Sequence, residues 1–364
     1  MQHRPLADMD EISRTASSDS RGAPLVVRSH GATDCGRRRP TNEDQFLIAD
    51  LTKAMNVRQT SLEEARAKFG EQHGHLFLVA DGMGGHHAGE HASALAVTLI
   101  EQFALNTFRW FMPLTDAPSD SAVTDFQEAV EQADATIVEA ATKRADLHGM
   151  GTTLTLAFHY EAELLVIHVG DSRAYLFRDE TLRQLTRDHT VVAEMVRRGE
   201  LDMAEARVHR LRHVITNVVG GTEAGVQAEA HSLELRADDG LLLCSDGLTE
   251  MLSHAEISEV LRGEPGPEAA CTRLISLANE RGGQDNITAI VARFSALPST
   301  SGNATSSTWR RADAYQDAVV GASAARRATL FASAHTNLRR RVRYTRTVPQ
   351  HDRASLAQTV ALRL

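Results

Sequence analysis

Cysteine is scarce. Cys35, Cys244 and Cys271 lie far apart in a chain of 364 residues, so neither a disulfide framework nor a zinc-finger spacing is available. So sparse a set suits a reducing compartment, and the protein is expected in the cytoplasm. No apolar run reaches the ~18 to 20 residues that cross a bilayer, so no transmembrane segment is expected. The opening MQHRPLADMDEISRTASSDSRGAP lacks the apolar core of a signal peptide. At the glycine-rich turn DGMGGHHAGE, residues 81–90, the Lys-Ser/Thr of a nucleotide P-loop and the GxGxxG spacing are both missing. A phosphate-binding cysteine loop would put Arg six residues after the cysteine. Those positions hold Thr41, Glu250 and Leu277, which excludes a cysteine phosphatase.

Positive charge is also short. The net charge is −9, but from Trp309 onward eleven Arg face three Asp, about +8, which leaves about −17 for everything before it. So acidic a body is a poor grip for a phosphodiester backbone, and no nucleic-acid partner is expected for it. Clustered carboxylates are, however, how hard cations are held. Residues 1–26 read as a flexible arm, 27–297 as the folded body, 298–308 (PSTSGNATSST) as a linker and 309–364 as an Arg-rich, disordered tail.

What is abundant in the body is alternation of two periods. DQFLIAD, HLFLVAD, TTLTLAFHY, LLVIHVGD, RAYLFR, GLLLCSD and NITAIVARF read as strands. Ala92, Leu95, Ala96, Leu99 and Phe103 recur at helical spacing, as do Phe126, Val130, Ala133, Ile137 and Ala140, and then Ala270, Leu274, Leu277 and Ala278. Long helices beside several strands joined by short turns predict an α+β layering. Residues 187–222 show two short amphipathic pieces, no strand and a high charge density, the pattern of a surface flap.

Four aspartates stand at strand ends beside Gly or Asn: Asp44, Asp81, Asp246 and Asp285. Asp81 and Asp246 follow their strands, whereas Asp44 and Asp285 precede theirs. In antiparallel sheets such positions share one edge, so the four can converge. Crowded carboxylates need cations, and oxygen-only ligation selects Mg²⁺ or Mn²⁺. Two such ions sharing a water would lower its pKa and make it a nucleophile for phosphoester hydrolysis. A histidine site at His86, His87 and His91 is the weaker reading, because no H-E-x-x-H pattern accompanies it.

RPTNED, VADGMGG, GMGTTLTLAF, VGDSRAYLF, LTRDHT, LLLCSDGL and GGQDNITAIV resemble, in order, the motifs of the protein phosphatase 2C family, bacterial type. The resemblance implies a four-layer α-β-β-α sandwich, two central antiparallel sheets flanked by helix pairs, with a flap. It implies a binuclear Mn²⁺ or Mg²⁺ centre in which Asp81 bridges the ions, the Gly82 carbonyl joins one, and Asp246 and Asp285 hold the other. Glu43 and Asp44 would contact an ion or its waters, and Arg39, three residues before Asn42, would bind the phosphate. Met83 stands where some eukaryotic members carry a proton-donating histidine. A third ion is doubtful, since His148 occupies a position where bacterial members often place Asp, leaving Asp171 as another candidate ligand. The expected activity is hydrolysis of phosphoserine and phosphothreonine on proteins that a cognate kinase modifies, by a monomer. The alternative is a non-catalytic phosphoprotein-binding regulator, but such a relative should have lost metal ligands that are all present here.

Overall fold

The structure, a computed structural model, describes residues 25–53, 72–84, 87–106 and 118–297. Residues 1–24 of the arm, the linker, the tail and His86 lie outside the described residues. Twelve strands and seven helices follow in order among those described. They are β1 Leu25–Asp34, β2 Asp44–Lys53, β3 Gln72–Met83, α1 Ala88–Asn106, α2 Pro118–Lys143, β4 Gly151–Thr152, β5 Leu154–Tyr160, β6 Glu163–Val169, β7 Arg173–Arg178 and β8 Thr181–Gln184. After these come α3 Val191–Arg197, α4 Met203–Val208, β9 Val219–Gly220, β10 Glu229–Glu234, β11 Gly240–Cys244, α5 Asp246–Thr249, α6 His254–Gly263, α7 Pro267–Glu280 and β12 Ile287–Ala296. A 3₁₀ turn, Ala145–Leu147, follows α2.

The strands form two antiparallel sheets. One runs β1-β12-β11-β7-β8; the other runs β10-β6-β5-β3-β4-β9, with β2 also paired to β3. Between them lies a sealed apolar layer containing Phe77, Val79, Val166, Leu241, Leu243, Ile290 and Phe294. Each such side chain, fully buried, is worth about 1.5–3 kcal/mol over its exposed state. The seven-stranded sheet turns its other face to α1 and α2 through Ala92, Ala96, Ile100, Phe126, Val130 and Ile137. Ile257, Leu261, Ala270, Leu274 and Ala278 of α6 and α7 cover the five-stranded sheet from outside. Helix pair, sheet, sheet, helix pair: the expected four layers are present.

Several elements differ from the sequence reading. β1 begins at Leu25, inside the expected arm, and its residues are mostly half-buried, so its apolar pattern is diluted. β10, an edge strand like β1, is diluted in the same way. The segment after Arg187 is not free of strand, because β9 pairs with β4, and Thr190 bridges to Ile215 at the flap's root. α6, which no period revealed, is announced by the capping box of Ser253 and Glu256.

Candidate active site

β2 and β3 run antiparallel in a register that sets Asp44 directly opposite Asp81. Asp81 lies inside its strand rather than after it, because pairing with β4 carries β3 on through Gly82 and Met83. Its backbone is pinned on both sides. Thr153 N–H and the Thr152 hydroxyl donate to the Asp81 carbonyl, each at 2.9 Å, while Asp81 N–H donates to Thr153 Oγ1. In the other sheet β11 pairs Cys244 with Ala289 of β12. Asp246 opens α5 just after β11, and Asp285 stands two residues ahead of β12, so both leave the sheet at one edge. Besides burial, the charges of Asp44, Asp246 and Asp285 all raise the Asp81 carboxyl, so the four lie within electrostatic reach of one another across the two sheets. The four aspartates therefore meet at one end of the sandwich.

Glycine at 82 has a second reason beyond an accessible carbonyl. A Cβ there would lie 2.2 Å from the Gly89 carbonyl oxygen in the first turn of α1 and 2.8 Å from the Glu43 carbonyl oxygen. That close approach seats the helix start against the site. Glu43 is half-buried, and its peptide N–H donates to Asn286 Oδ1 at 2.9 Å. Arg39 donates from Nη2 to Asp285 Oδ2 at 2.7 Å, with half of its side chain exposed.

One residue outside the sequence-derived site set belongs here, and one candidate ligand joins it. Asn286 is buried and ties its own loop to the loop between β1 and β2, its Nδ2 donating to the carbonyls of Cys35 at 3.0 Å and Thr41 at 2.9 Å. Its place beside Asp285 was the available signal. Asp171, on the turn between β6 and β7, is buried as well. By contrast His148 is exposed on the turn after α2, and that turn's own carboxylate, Asp146, pairs with Arg144. Among the described residues, two groups bring three ligand atoms within 4.8 Å of one another, His168–His189–Glu229 and His213–Asp246–Glu250; neither includes His87, His91 or His148.

The electrostatics are those of an excess of carboxylate. Burial first, then Asp44, Asp246 and Asp171, hold the Asp81 carboxyl well above its ordinary range. Burial, with Asp246 next, does the same to Asp171. Asp44 rises to about 7 through burial, against the opposing hydroxyl donors of Thr288 and Ser245. Asp246 rises to about 6 through burial and the charge of Asp285. Glu43 is raised, mainly by burial, and the Arg39 guanidinium is raised by its bond to Asp285. One oxygen of each of Asp44, Asp171 and Asp246 is buried with no hydrogen-bond partner among the described residues. Buried oxygens are normally satisfied. Three orphaned carboxylate oxygens at one spot, with an all-oxygen donor set, fit hard divalent cations.

A sandwich of two antiparallel sheets between helix pairs, opening at one end on convergent carboxylates, defines a class of metal-assisted hydrolase. The protein phosphatase 2C family profile matches residues 57–291, and the chain belongs to that family of phosphatases. The serine/threonine phosphatase stp of Listeria innocua is 36% identical over 216 residues, 59% of this chain and 83% of that protein. The serine/threonine protein phosphatase PstP of Mycobacterium tuberculosis is 38% identical over 268 residues, 74% of this chain and 45% of that protein. Its crystal structure superposes with a TM-score of 0.61 at 34% identity, covering 74% of this chain and 100% of that one. A structure of the PstP catalytic domain in complex with two manganese ions gives a TM-score of 0.59 at 33% identity, covering 74% and 99%.

Proposed function

We propose that this chain is a Mn²⁺- or Mg²⁺-dependent phosphatase of phosphoserine and phosphothreonine in proteins, built around a two-ion site. The observation that carries this reading is the set of unpartnered, buried carboxylate oxygens on Asp44, Asp246 and Asp171 beside Asp81. Asp81 and the Gly82 carbonyl would hold the ions from β3, Asp246 and Asp285 from the other sheet, and Glu43 and Asp44 from the start of β2. The ions would supply Lewis acidity that lowers the pKa of a water held between them.

The chain's own groups do the rest. Asp285 is the partner of Arg39 at 2.7 Å; with that carboxylate holding a cation, the guanidinium would be free to grip phosphoryl oxygens with its planar fork. Half-exposed, Arg39 can meet a phosphorylated side chain at the protein surface. The Ser245 and Thr288 hydroxyls, at 2.7 and 2.6 Å from Asp44 Oδ2, fix that carboxylate so that its other oxygen faces the site. No helix among the described residues is long and apolar enough to cross a membrane; the cytoplasm and a monomeric state are part of the same proposal.

The test is release of phosphate from phosphothreonine and phosphotyrosine peptides, with and without Mn²⁺ and after chelation. Activity is expected on phosphothreonine, restored by Mn²⁺ after chelation. Full turnover in excess chelator would overturn the two-ion reading.

A further inference from the structure

Besides oxygen, the flap brings a nitrogen to this end of the sandwich. His213, on the segment between α4 and β9, reaches to α5, where its Nδ1 lies 2.8 Å from Glu250 Oε1. The His213 nitrogen, the Glu250 oxygen and an oxygen of Asp246 all lie within 4.8 Å of one another. Ligand atoms around a tetrahedral Zn²⁺ sit ~2.0 to 2.2 Å from the ion and so ~3.3 to 3.6 Å apart. His213 and Glu250 are exposed enough to close the remaining gap by rotating inward. Asp246 Oδ1 is buried and has no hydrogen-bond partner among the described residues.

We propose that His213, Glu250 and Asp246 form a site for a transition-metal ion that accepts nitrogen, with Zn²⁺ as the type, and that the ion clamps the flap onto α5. The donor set sets the selectivity. Imidazole suits zinc and its neighbours, whereas Mg²⁺ keeps to carboxylate, carbonyl and water oxygens, so this site and the all-oxygen cluster, which share Asp246 as a bridging carboxylate, select different ions. Binding replaces the proton shared by His213 Nδ1 and the Glu250 carboxylate, and that proton leaves to solvent. Three protein ligands leave the fourth tetrahedral position to water or to an anion arriving at the mouth of the site. The clamp joins two elements that the chain separates by more than thirty residues, and it holds the flap at the side where Arg39 is exposed.

The experiment uses the full chain kept in millimolar Mg²⁺, with Zn²⁺ titrated in competition with a chromophoric chelator. The unaltered protein should bind one zinc equivalent more than His213→Ala does. Glu250→Gln should weaken that equivalent at least ~10-fold, and His213→Cys should keep it, since a thiolate also ligates zinc. The His213 ring nitrogen resonance should shift when zinc is added. Equal stoichiometry and affinity in the unaltered protein and His213→Ala would overturn the site, as would loss of the equivalent in His213→Cys with the fold intact by circular dichroism. Zinc retention is read without turnover, so its failure is distinguishable from failure of the phosphatase reading.

Discussion

Removing divalent ions should make the folded body pH-sensitive, and Asp44 is where the effect can be measured. Its carboxyl is 2% exposed and shifted from an ordinary 3.8 to about 7 by burial. Between those values the metal-free folded protein keeps a proton that the unfolded chain has released, so stability falls as pH rises through the window. The penalty is absent below pH ~4 and complete above ~7. At about 1.4 kcal/mol per pH unit it amounts to on the order of 4 kcal/mol, or roughly 8 °C in melting temperature for a body of this size. Two buried histidines pull the other way. His159, lowered to about 3, and His168, lowered to about 4, both by burial, cost stability at acid pH. The comparison that isolates Asp44 is therefore the parent protein against Asp44→Asn in chelator, by thermal melting from pH 5 to 8. Asn can still accept from Ser245 and Thr288 but carries no charge, so the variant should gain on the parent steadily, and most at pH 8. Adding Mg²⁺ should reverse the order. A constant difference across that range, or a variant less stable than the parent at pH 8 in chelator, would refute the electrostatic reasoning.

Asp81→Asn and Asp246→Asn should each lower turnover at saturating Mn²⁺ by at least ~10²-fold, read by phosphate release, because each would weaken the two-ion clamp on the nucleophile. Arg39→Ala should raise KM for a phosphopeptide without weakening Mn²⁺ affinity by calorimetry, since the arginine would grip phosphate and only competes with the ions for Asp285. Gly82→Ala should be poorly soluble or unfold early in urea, because its Cβ would lie 2.2 Å from a backbone oxygen that cannot move without shifting α1. Asn286→Ala should cost about 1–3 kcal/mol in urea denaturation, since the amide's loss leaves the buried N–H of Glu43 and the carbonyls of Cys35 and Thr41 unpaired.

The layers and the carboxylates were legible for one reason: β3, β5, β6, β11 and β12 are buried on both faces and so read as continuous apolar runs, with aspartates marking the ends of all but β5. Direction along each strand then told which ends coincide. What escaped was set at long range. β9 is two residues, and it is a strand only because β4, nearly seventy residues earlier in the chain, pairs with it. The pairing of β4 with β3 likewise explains why Asp81 is inside β3 rather than beyond it. Asp171 was legible only as a candidate ligand of a third ion; its burial and orphaned oxygen beside the other carboxylates came from the fold. The reach of His213 across to Glu250 depends on how the flap folds back, which no local period encodes.

The pairing of β1 with β12 has a consequence for how the protein is made. The first strand lies alongside the last over ten residues, Leu25 against Ala296 through Asp34 against Ile287, and β12 also separates β1 from β11. During synthesis β1 therefore has no backbone partner in its sheet until the end of the body has emerged, and β11 lacks its inner neighbour for as long. Contacts of such sequence separation form late and slowly, so the nascent chain carries unpaired strand edges that invite association with other chains. A ribosome-stalled chain that stops short of Ile287 should accordingly be protease-sensitive throughout the five-stranded sheet, with β12 acting as the strand that completes the body in a single closing step.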